Sequence, residues 1–210
     1  MTGFTRQGPL AISAFSAALV FLGCASSTAS AALVFSSLPG LEGNGSFTGS
    51  LSFTATGATT GTLSVSLTNT SPIPNGGYLT AFAFNVVDGV SLGFTSSGQP
   101  AWGLLSAVDA SPYPAFDYGA GVGSWLDGGA PSTGIAVGAT SITAFSVSAS
   151  AGVLATLTDA SFFDGTNGYA FAARFRGFAN GGSDKVLGVV PAPGAIALLA
   201  LAGLASRRRR

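Results

Sequence analysis

Apolar and polar residues alternate with a period of two through most of the middle of the chain. The clearest case is residues 45–56, where Phe47, Leu51 and Phe53 fall on one side and serines and threonines on the other. Because successive side chains of a strand point to opposite faces of a sheet, this alternation predicts a strand with one buried and one wet face. Such strands are typical of antiparallel sheets.

The same period predicts further strands at residues 62–70, 78–87, 90–94, 135–137, 141–149, 153–158 and 169–178. Glycine-containing turns predict one hairpin at 57–61 and a second at Asp88-Gly89, which would pair 78–87 with 90–94. Many short strands with Gly-rich turns indicate a sandwich or a barrel. We predict an all-β fold, an antiparallel β-sandwich of jelly-roll type.

Residues 99–134 break the alternation and predict a long loop, of a length that is often functional. Aromatic and acidic residues are interleaved in it: Trp102, Asp109, Tyr113, Asp117, Tyr118, Trp125 and Asp127. The rings offer flat apolar faces to a sugar, and the carboxylates can accept hydrogen bonds from its hydroxyls. A carbohydrate-binding site is one interpretation, and inward packing that caps an open end of the fold is the other.

The loop's three aspartates are also the densest carboxylate set in the chain, and glycoside hydrolysis needs two carboxyl groups at a fixed separation. Nothing in their spacing establishes that separation. The chain has no histidine, and its one cysteine, Cys24, precedes the predicted mature body, so Ser–His and Cys–His catalysis are excluded. The same absences exclude the usual zinc and iron–sulfur sites. We predict a non-catalytic protein without a cofactor.

Two smaller clusters leave alternatives open. Oxygen ligands for calcium are present near residue 164, at Asp159, Asp164, Thr166 and Asn167. Asp, Asn and Gly are equally typical of turns, so we assign no metal site.

Arg174 and Arg176 are two apart on a predicted strand and share a face. We expect them to pair with surface acids such as Asp159 or Asp164, and contact with an acidic polysaccharide is the alternative.

The first 31 residues predict a signal peptide with an N-terminal helix. Arg6 supplies the positive charge, residues 10–22 form an apolar stretch, and Ala29-Ser30-Ala31 is a small-residue cleavage site. Leu22-Gly23-Cys24 offers lipidation as an alternative, although Phe21 stands where a lipoprotein signal has an aliphatic residue. The protein is therefore predicted to be exported.

The other end of the chain carries an uncharged stretch followed by basic residues. Residues 187–206 contain no charge, 195–205 are Ala, Leu, Ile and Gly, and Arg207, Arg208, Arg209 and Arg210 complete the chain. A transmembrane helix needs about 20 apolar residues, and its cytoplasmic flank is typically rich in Lys and Arg. We predict an apolar C-terminal helix that enters a membrane at least transiently.

The start of this segment reads Val190-Pro191-Ala192-Pro193-Gly194. Together with the apolar helix and the arginine cluster, it resembles the PEP-CTERM sorting signal of exported bacterial proteins, with Ala192 where that family commonly has glutamate. The resemblance implies export, transient retention in the membrane and processing by a sorting enzyme of the exosortase type. It further implies a non-catalytic role at the cell surface or in the extracellular matrix, beside exopolysaccharide.

These features predict three parts: a signal peptide at 1–31, a β-sandwich ectodomain at 32–184 and a sorting segment at 185–210. The ectodomain and the lysine that follows it hold eight acids and three bases, a net charge of −5. Nucleic-acid binding rests on Lys and Arg that neutralise phosphates, so we expect no nucleic-acid partner. The expected partners are the sorting enzyme, the membrane and exopolysaccharide.

Overall fold

The computed structural model describes residues 31–127, 129–165 and 168–191. Within these residues eleven strands form one hydrogen-bonded sheet in which every pairing is antiparallel. The strands are β1 Leu33–Ser37, β2 Phe47–Ala55, β3 Thr60–Asn69, β4 Gly76–Phe84, β5 Val90–Ser97, β6 Trp102–Val108, β7 Phe116–Val122, β8 Ile135–Ala136, β9 Thr140–Ala149, β10 Phe171–Phe178 and β11 Ser183–Val189. The short helices are α1 Ala151–Leu154 and the 3-10 turns Ile73–Asn75, Pro131–Thr133 and Asp159–Phe162. The prediction of an all-β, antiparallel fold is confirmed.

The strands follow the order β5-β9-β3-β2-β1-β11-β10-β4-β7-β6, and β8 is attached to β4. Strands far apart in this order face each other, since the rings of Phe82 in β4 and Phe145 in β9 lie 6.2 Å apart between centroids. The sheet therefore curls around its core until the edge strands β5 and β6 approach each other. The described strands form one continuous, almost closed sheet rather than the two separate sheets expected of a sandwich.

Phenylalanine rings fill the inside of the curled sheet. In β10, Phe171 and Phe175 point inward together with Ala173, as the period of two predicts. Phe171 stacks on Phe82 with centroids 5.7 Å apart, and it lies 4.6 Å from Phe35 in β1. Truncating a buried Phe to Ala typically costs about 3–5 kcal/mol, so each of these rings contributes substantially to stability.

A second, smaller cluster lies on the opposite face of the same strands. Its floor consists of Ala81 and Ala83 in β4 and Ala172 in β10, which alternate with the inward-pointing phenylalanines. Above this floor pack Trp125, Phe116, Val108 and Ala110. We call this surface the outer face. The small side chains of the floor let a large ring lie close to the backbone of the sheet.

Two predicted elements are wrong. Strand β5 exists at the predicted place but pairs with β9, so Asp88-Gly89 does not join a hairpin between β4 and β5. Residues 153–158, predicted as a strand, contain the end of α1, where the Ser150 hydroxyl accepts a hydrogen bond from the Val153 N–H at 3.4 Å. An N-terminal cap of this kind lets one helical turn replace the extended conformation that the alternation suggested.

The folded body extends beyond the predicted boundary after Asp184. Strand β11 pairs with both β10 and β1, and Val186 is fully buried. The boundary therefore falls inside a core strand, and residues 185–189, predicted as the start of the sorting segment, belong to the sheet. Within the described part of the chain no helix has the length and apolarity needed to cross a bilayer. The predicted signal peptide at 1–31, except for its last residue, and the predicted apolar helix at 195–205 lie outside the described residues.

Candidate functional site

The predicted aromatic loop at 99–134 contains a β-hairpin. Strands β6 and β7 pair along their length, from Trp102 opposite Val122 to Val108 opposite Phe116. β7 continues the sheet by pairing with β4. The aromatic residues are therefore held by main-chain ladders, and their positions follow from the two faces of the sheet.

The two tryptophans lie on opposite faces. Trp102 is 5% exposed and packs inside the sheet, 5.7 Å from the ring of Phe82. Trp125 is 3% exposed and packs on the outer face with Ala81 and Ala83. Because the sheet separates them, the two rings cannot line one sugar-binding groove.

Tyr113 and Asp109 lie in the connection between β6 and β7. The Tyr113 hydroxyl donates to the backbone oxygen of Lys185 at 3.0 Å, and its ring lies 5.7 Å from that of Tyr169. Burial, followed by the charge of Asp184, raises the pKa of Tyr113 above its ordinary value. The Asp109 carboxylate is exposed and accepts the Ser111 N–H at 3.1 Å, an ordinary turn contact.

Asp117 and Tyr118 are two of the predicted site residues, and they line a common cleft. This cleft, of about 380 Å³, is bounded by residues 86–90, Ser106 and Ala107. The Asp117 carboxylate accepts the Val86 N–H at 3.0 Å and is exposed on its other side. Tyr118 is half-buried in the wall. The cleft thus presents the Tyr118 ring and hydroxyl beside two acidic residues, Asp88 and Asp117, groups that suit a sugar.

The three aspartates of the predicted loop are held in different places. Asp109 borders a second cleft of about 360 Å³ with Leu104 and Trp125, and neither cleft is lined by Asp127. The backbone oxygen of Asp127 instead accepts a hydrogen bond from Arg176. Asp117 therefore faces its cleft without either of the other two carboxylates, and the pair that glycoside hydrolysis needs is not assembled from this set.

The alternative calcium ligands are only partly described. The Asp159 carboxylate accepts the Phe53 N–H at 2.7 Å and is buried beside β2. Thr166 and Asn167 lie outside the described residues. Among the residues that are described, no three His, Cys, Asp or Glu side chains form a group suited to a metal ion.

Three cations on β10 and β11 form a feature that the sequence indicated only in part. Arg174 lies directly opposite Lys185 in the ladder, and Arg176 follows on the same face as Arg174. Arg176 Nη1 donates to the backbone oxygens of Asp127 and Gly129, the latter at 2.7 Å. The sequence places Lys185 in the predicted sorting segment, so the pairing with Arg174 that completes this cluster does not follow from it.

Asp184 is a second residue that sequence reasoning missed, because it falls at the predicted end of the ectodomain, outside every predicted strand. Its buried carboxylate accepts four backbone N–H groups, from Glu42, Asn44, Gly45 and Lys185, at 2.8–3.0 Å. It closes the loop between β1 and β2 over the end of the core. A single Asp in a Gly-rich stretch carries no sequence signal for such a contact.

The sorting motif begins where the sheet ends. Strand β11 ends at Val189, and Val190 is 44% exposed. Pro191 is half-buried and is the last described residue. The structure therefore describes only the first two residues of the motif. The others lie outside the described residues: Ala192, Pro193, Gly194 and Arg207–Arg210.

The chain matches no protein-family model, no curated protein and no solved structure. No relative therefore assigns a role to the cleft or to the cations of the outer face. Their functional interpretation depends on the geometry and chemistry of this chain alone.

Proposed function

We propose that the chain is an exported, non-catalytic protein of the cell surface or extracellular matrix, associated with exopolysaccharide and sorted through its C-terminal segment. The observation that carries the proposal is the pairing of a signal-peptide pattern at 1–31 with the Val190–Gly194 motif and the terminal arginines. An exosortase-type enzyme would process the segment in the membrane.

The end of the folded body supports this proposal. Because β11 ends at Val189 and Val190 is exposed, an enzyme at the membrane can reach the motif without unfolding the sheet. Only about eleven apolar residues follow Gly194, fewer than the about 20 that a permanent anchor needs. Such a short span suits a segment that is recognised and then removed.

The chemistry of one sheet face supports association with polysaccharide. Across β2, β3 and β9 the ladder brings Thr48, Thr68 and Thr140 into one row, and the hydroxyls of Thr68 and Thr140 lie 2.7 Å apart. These three strands and β5 contain no charged residue. A hydroxyl-rich, uncharged sheet face suits a neutral polyhydroxyl partner, because each hydroxyl both donates and accepts hydrogen bonds.

The test is the intact mass of the protein recovered from its own cells. We expect the mature chain to lack residues 1–31 and the part of the tail that follows the processing site. Replacing Arg207–Arg210 with glutamine should leave the tail attached and move the protein to the membrane fraction. A chain that keeps residues 191–210 and is nevertheless released in soluble form would overturn the proposal.

A second candidate is carbohydrate binding through the hairpin, favoured by the cleft that holds Asp117 and Tyr118. Titration with neutral oligosaccharides tests it. Tyr118→Ala should abolish binding, whereas Asp109→Asn, at a residue outside this cleft, should leave it unchanged. Equal affinity of wild type and Tyr118→Ala would remove the cleft from consideration.

A further inference from the structure

All three lysine and arginine residues of the described chain lie on one patch of the outer face. They are Arg174, Arg176 and Lys185, on the neighbouring strands β10 and β11. The folded body around them has eight acids. Like charges that lie side by side repel, so this clustering of the described cations is electrostatically unfavourable. The acidic residues of the body could have separated them, but the fold brings all three together.

Arg174 lies at the centre of this patch. Its side chain is 9% exposed, and its Nε and Nη1 atoms are enclosed without a hydrogen-bond partner among the described residues. Burial, followed by the charge of Arg176, lowers the pKa of Arg174 below its ordinary value. A buried guanidinium without an acceptor is costly, and its uncompensated positive charge favours an anion placed beside it, although the enclosed Nε and Nη1 atoms are themselves out of a ligand's reach.

The other two cations are held in place but keep free donors. Lys185 Nζ donates to the backbone oxygen of Ser111, and Arg176 Nη1 donates to Asp127 and Gly129. Backbone oxygens orient a cation without neutralising it. A guanidinium has five N–H donors and an ammonium three, so both retain donors for a ligand.

Two exposed carboxylates flank the patch and restrict what can bind. The charge of Asp127 acts on Arg174, and that of Asp109 acts on Lys185, in each case raising the pKa of the base. Neither forms an ion pair with these cations within the described residues. Their negative charges repel a polymer with densely spaced anionic groups.

We infer that Arg174, Arg176 and Lys185 form a binding site for one carboxylate group of an acidic saccharide, a uronate residue. A planar carboxylate matches the geometry of a guanidinium, and the neighbouring cations stabilise its charge. The inference that this carboxylate belongs to a saccharide rests on the proposed association with polysaccharide. The carboxylate site itself rests only on these three side chains.

The test is calorimetric titration of the mature protein with trigalacturonate at low ionic strength. Arg176→Gln and Lys185→Gln keep an N–H donor for the backbone oxygens and remove the charge, so loop packing is retained. We expect each variant to weaken binding at least tenfold and added salt to weaken binding to the wild type. Unchanged affinity in both variants would overturn the site, and the test does not depend on the stability of an Arg174 variant.

Asp127→Asn is the matched test of the flanking charge. If the site takes its anion from solution, this variant binds trigalacturonate more tightly, because one repulsive charge is lost. If Asp127 is the internal counter-ion of Arg174, the variant instead lowers the melting temperature without tighter binding, which would overturn the proposal.

Two further ligands distinguish the source of the carboxylate. Maltotriose, a neutral trisaccharide, should not bind at these residues, and triglutamate should bind at least tenfold more weakly than trigalacturonate. Equal binding of triglutamate would overturn the assignment to a saccharide. Because export is tested by intact mass, failure of this site and failure of the proposed sorting are separate results.

Discussion

Trp102 and Trp125 lie on opposite faces of the same sheet, although both belong to the aromatic segment 99–134. Trp102 packs against Phe82 in the main core, and Trp125 covers Ala81 and Ala83 on the outer face. Each ring thus buries apolar surface that β4 presents on one of its two sides. This relationship replaces the idea of one aromatic groove with two separate packing roles.

Both tryptophans should be protected from solvent. We expect the fluorescence of each to resist quenching by iodide, because they are 5% and 3% exposed. Trp102→Phe and Trp125→Phe separate the two signals, and the urea-unfolded protein serves as the fully quenched control. Strong quenching in the folded protein, relieved by an oligosaccharide, would contradict this packing.

The Asp184 carboxylate should contribute strongly to stability. It accepts N–H groups from Glu42, Asn44 and Gly45 across the loop between β1 and β2. Hydrogen bonds to a charged group contribute about 1.5–3 kcal/mol each, and an amide keeps only part of this capacity. We expect Asp184→Asn to lower the free energy of unfolding in urea by about 2–3 kcal/mol, on the same basis.

Asp88→Asn is the control for the removal of one negative charge. Asp88 is exposed in the turn before β5, and a surface substitution of this kind changes stability by about 0.5 kcal/mol or less. If Asp184→Asn were as mild as Asp88→Asn, the carboxylate would not be the element that holds the loop.

Close packing on the outer face makes a matched pair of glycine variants informative. A Cβ at Gly121 in β7 would lie 2.5 Å from the Cβ of Ala81, whereas a Cβ at Gly103 in β6 meets nothing within 4 Å. Overpacking costs about 1–3 kcal/mol, so Gly121→Ala should destabilise the protein by that amount. The two glycines lie opposite each other in one ladder, which makes their backbone settings comparable.

Gly103→Ala should be neutral or stabilising by up to about 1 kcal/mol, because alanine loses less entropy than glycine in a strand. Thermal unfolding of both variants measures the difference. Equal melting temperatures would mean that the outer face is not packed as closely as the Ala81 contact requires.

The pKa of Lys185 reports the repulsion within the cation cluster. Burial, followed by the charge of Arg174, lowers this pKa, while Asp109 raises it. Lys185 is the chain's one lysine, so its side-chain signal in NMR is unambiguous. Arg174→Met should raise the pKa towards its ordinary value of 10.5. An unchanged pKa in the variant would show that the two side chains do not interact.

The same shift sets the sign of a pH effect. Because the folded pKa of Lys185 is lowered, the unfolded chain binds more protons between the folded and the unfolded pKa. The free energy of unfolding of the wild type should therefore rise with pH in that window, relative to Lys185→Gln. Denaturant titrations of both proteins across the window measure this difference, and a fall with pH would contradict it.

Period-two alternation located β2, β3, β4, β9 and β10 within a few residues of their bounds. It missed β6 and β7, because Gly103, Gly119 and Gly121 put small residues where the pattern needs large apolar ones. It also missed β11, since Ser183-Asp184-Lys185 reads as a polar linker although Asp184 and Val186 are buried. These residues are buried by contacts with distant strands, which a local window does not contain.

The sequence by itself determined the all-β character, the alternating strands and the acidic charge of residues 32–185, and it is the basis of the signals proposed at the two ends. Only the tertiary structure decided that β5 pairs with β9, that the tryptophans face opposite ways and that Lys185 lies opposite Arg174. Alternation depends on neighbouring residues along one strand and can therefore be recognised in the sequence. Strand partners depend on contacts between residues far apart in sequence, so the site that they assemble emerges only on folding.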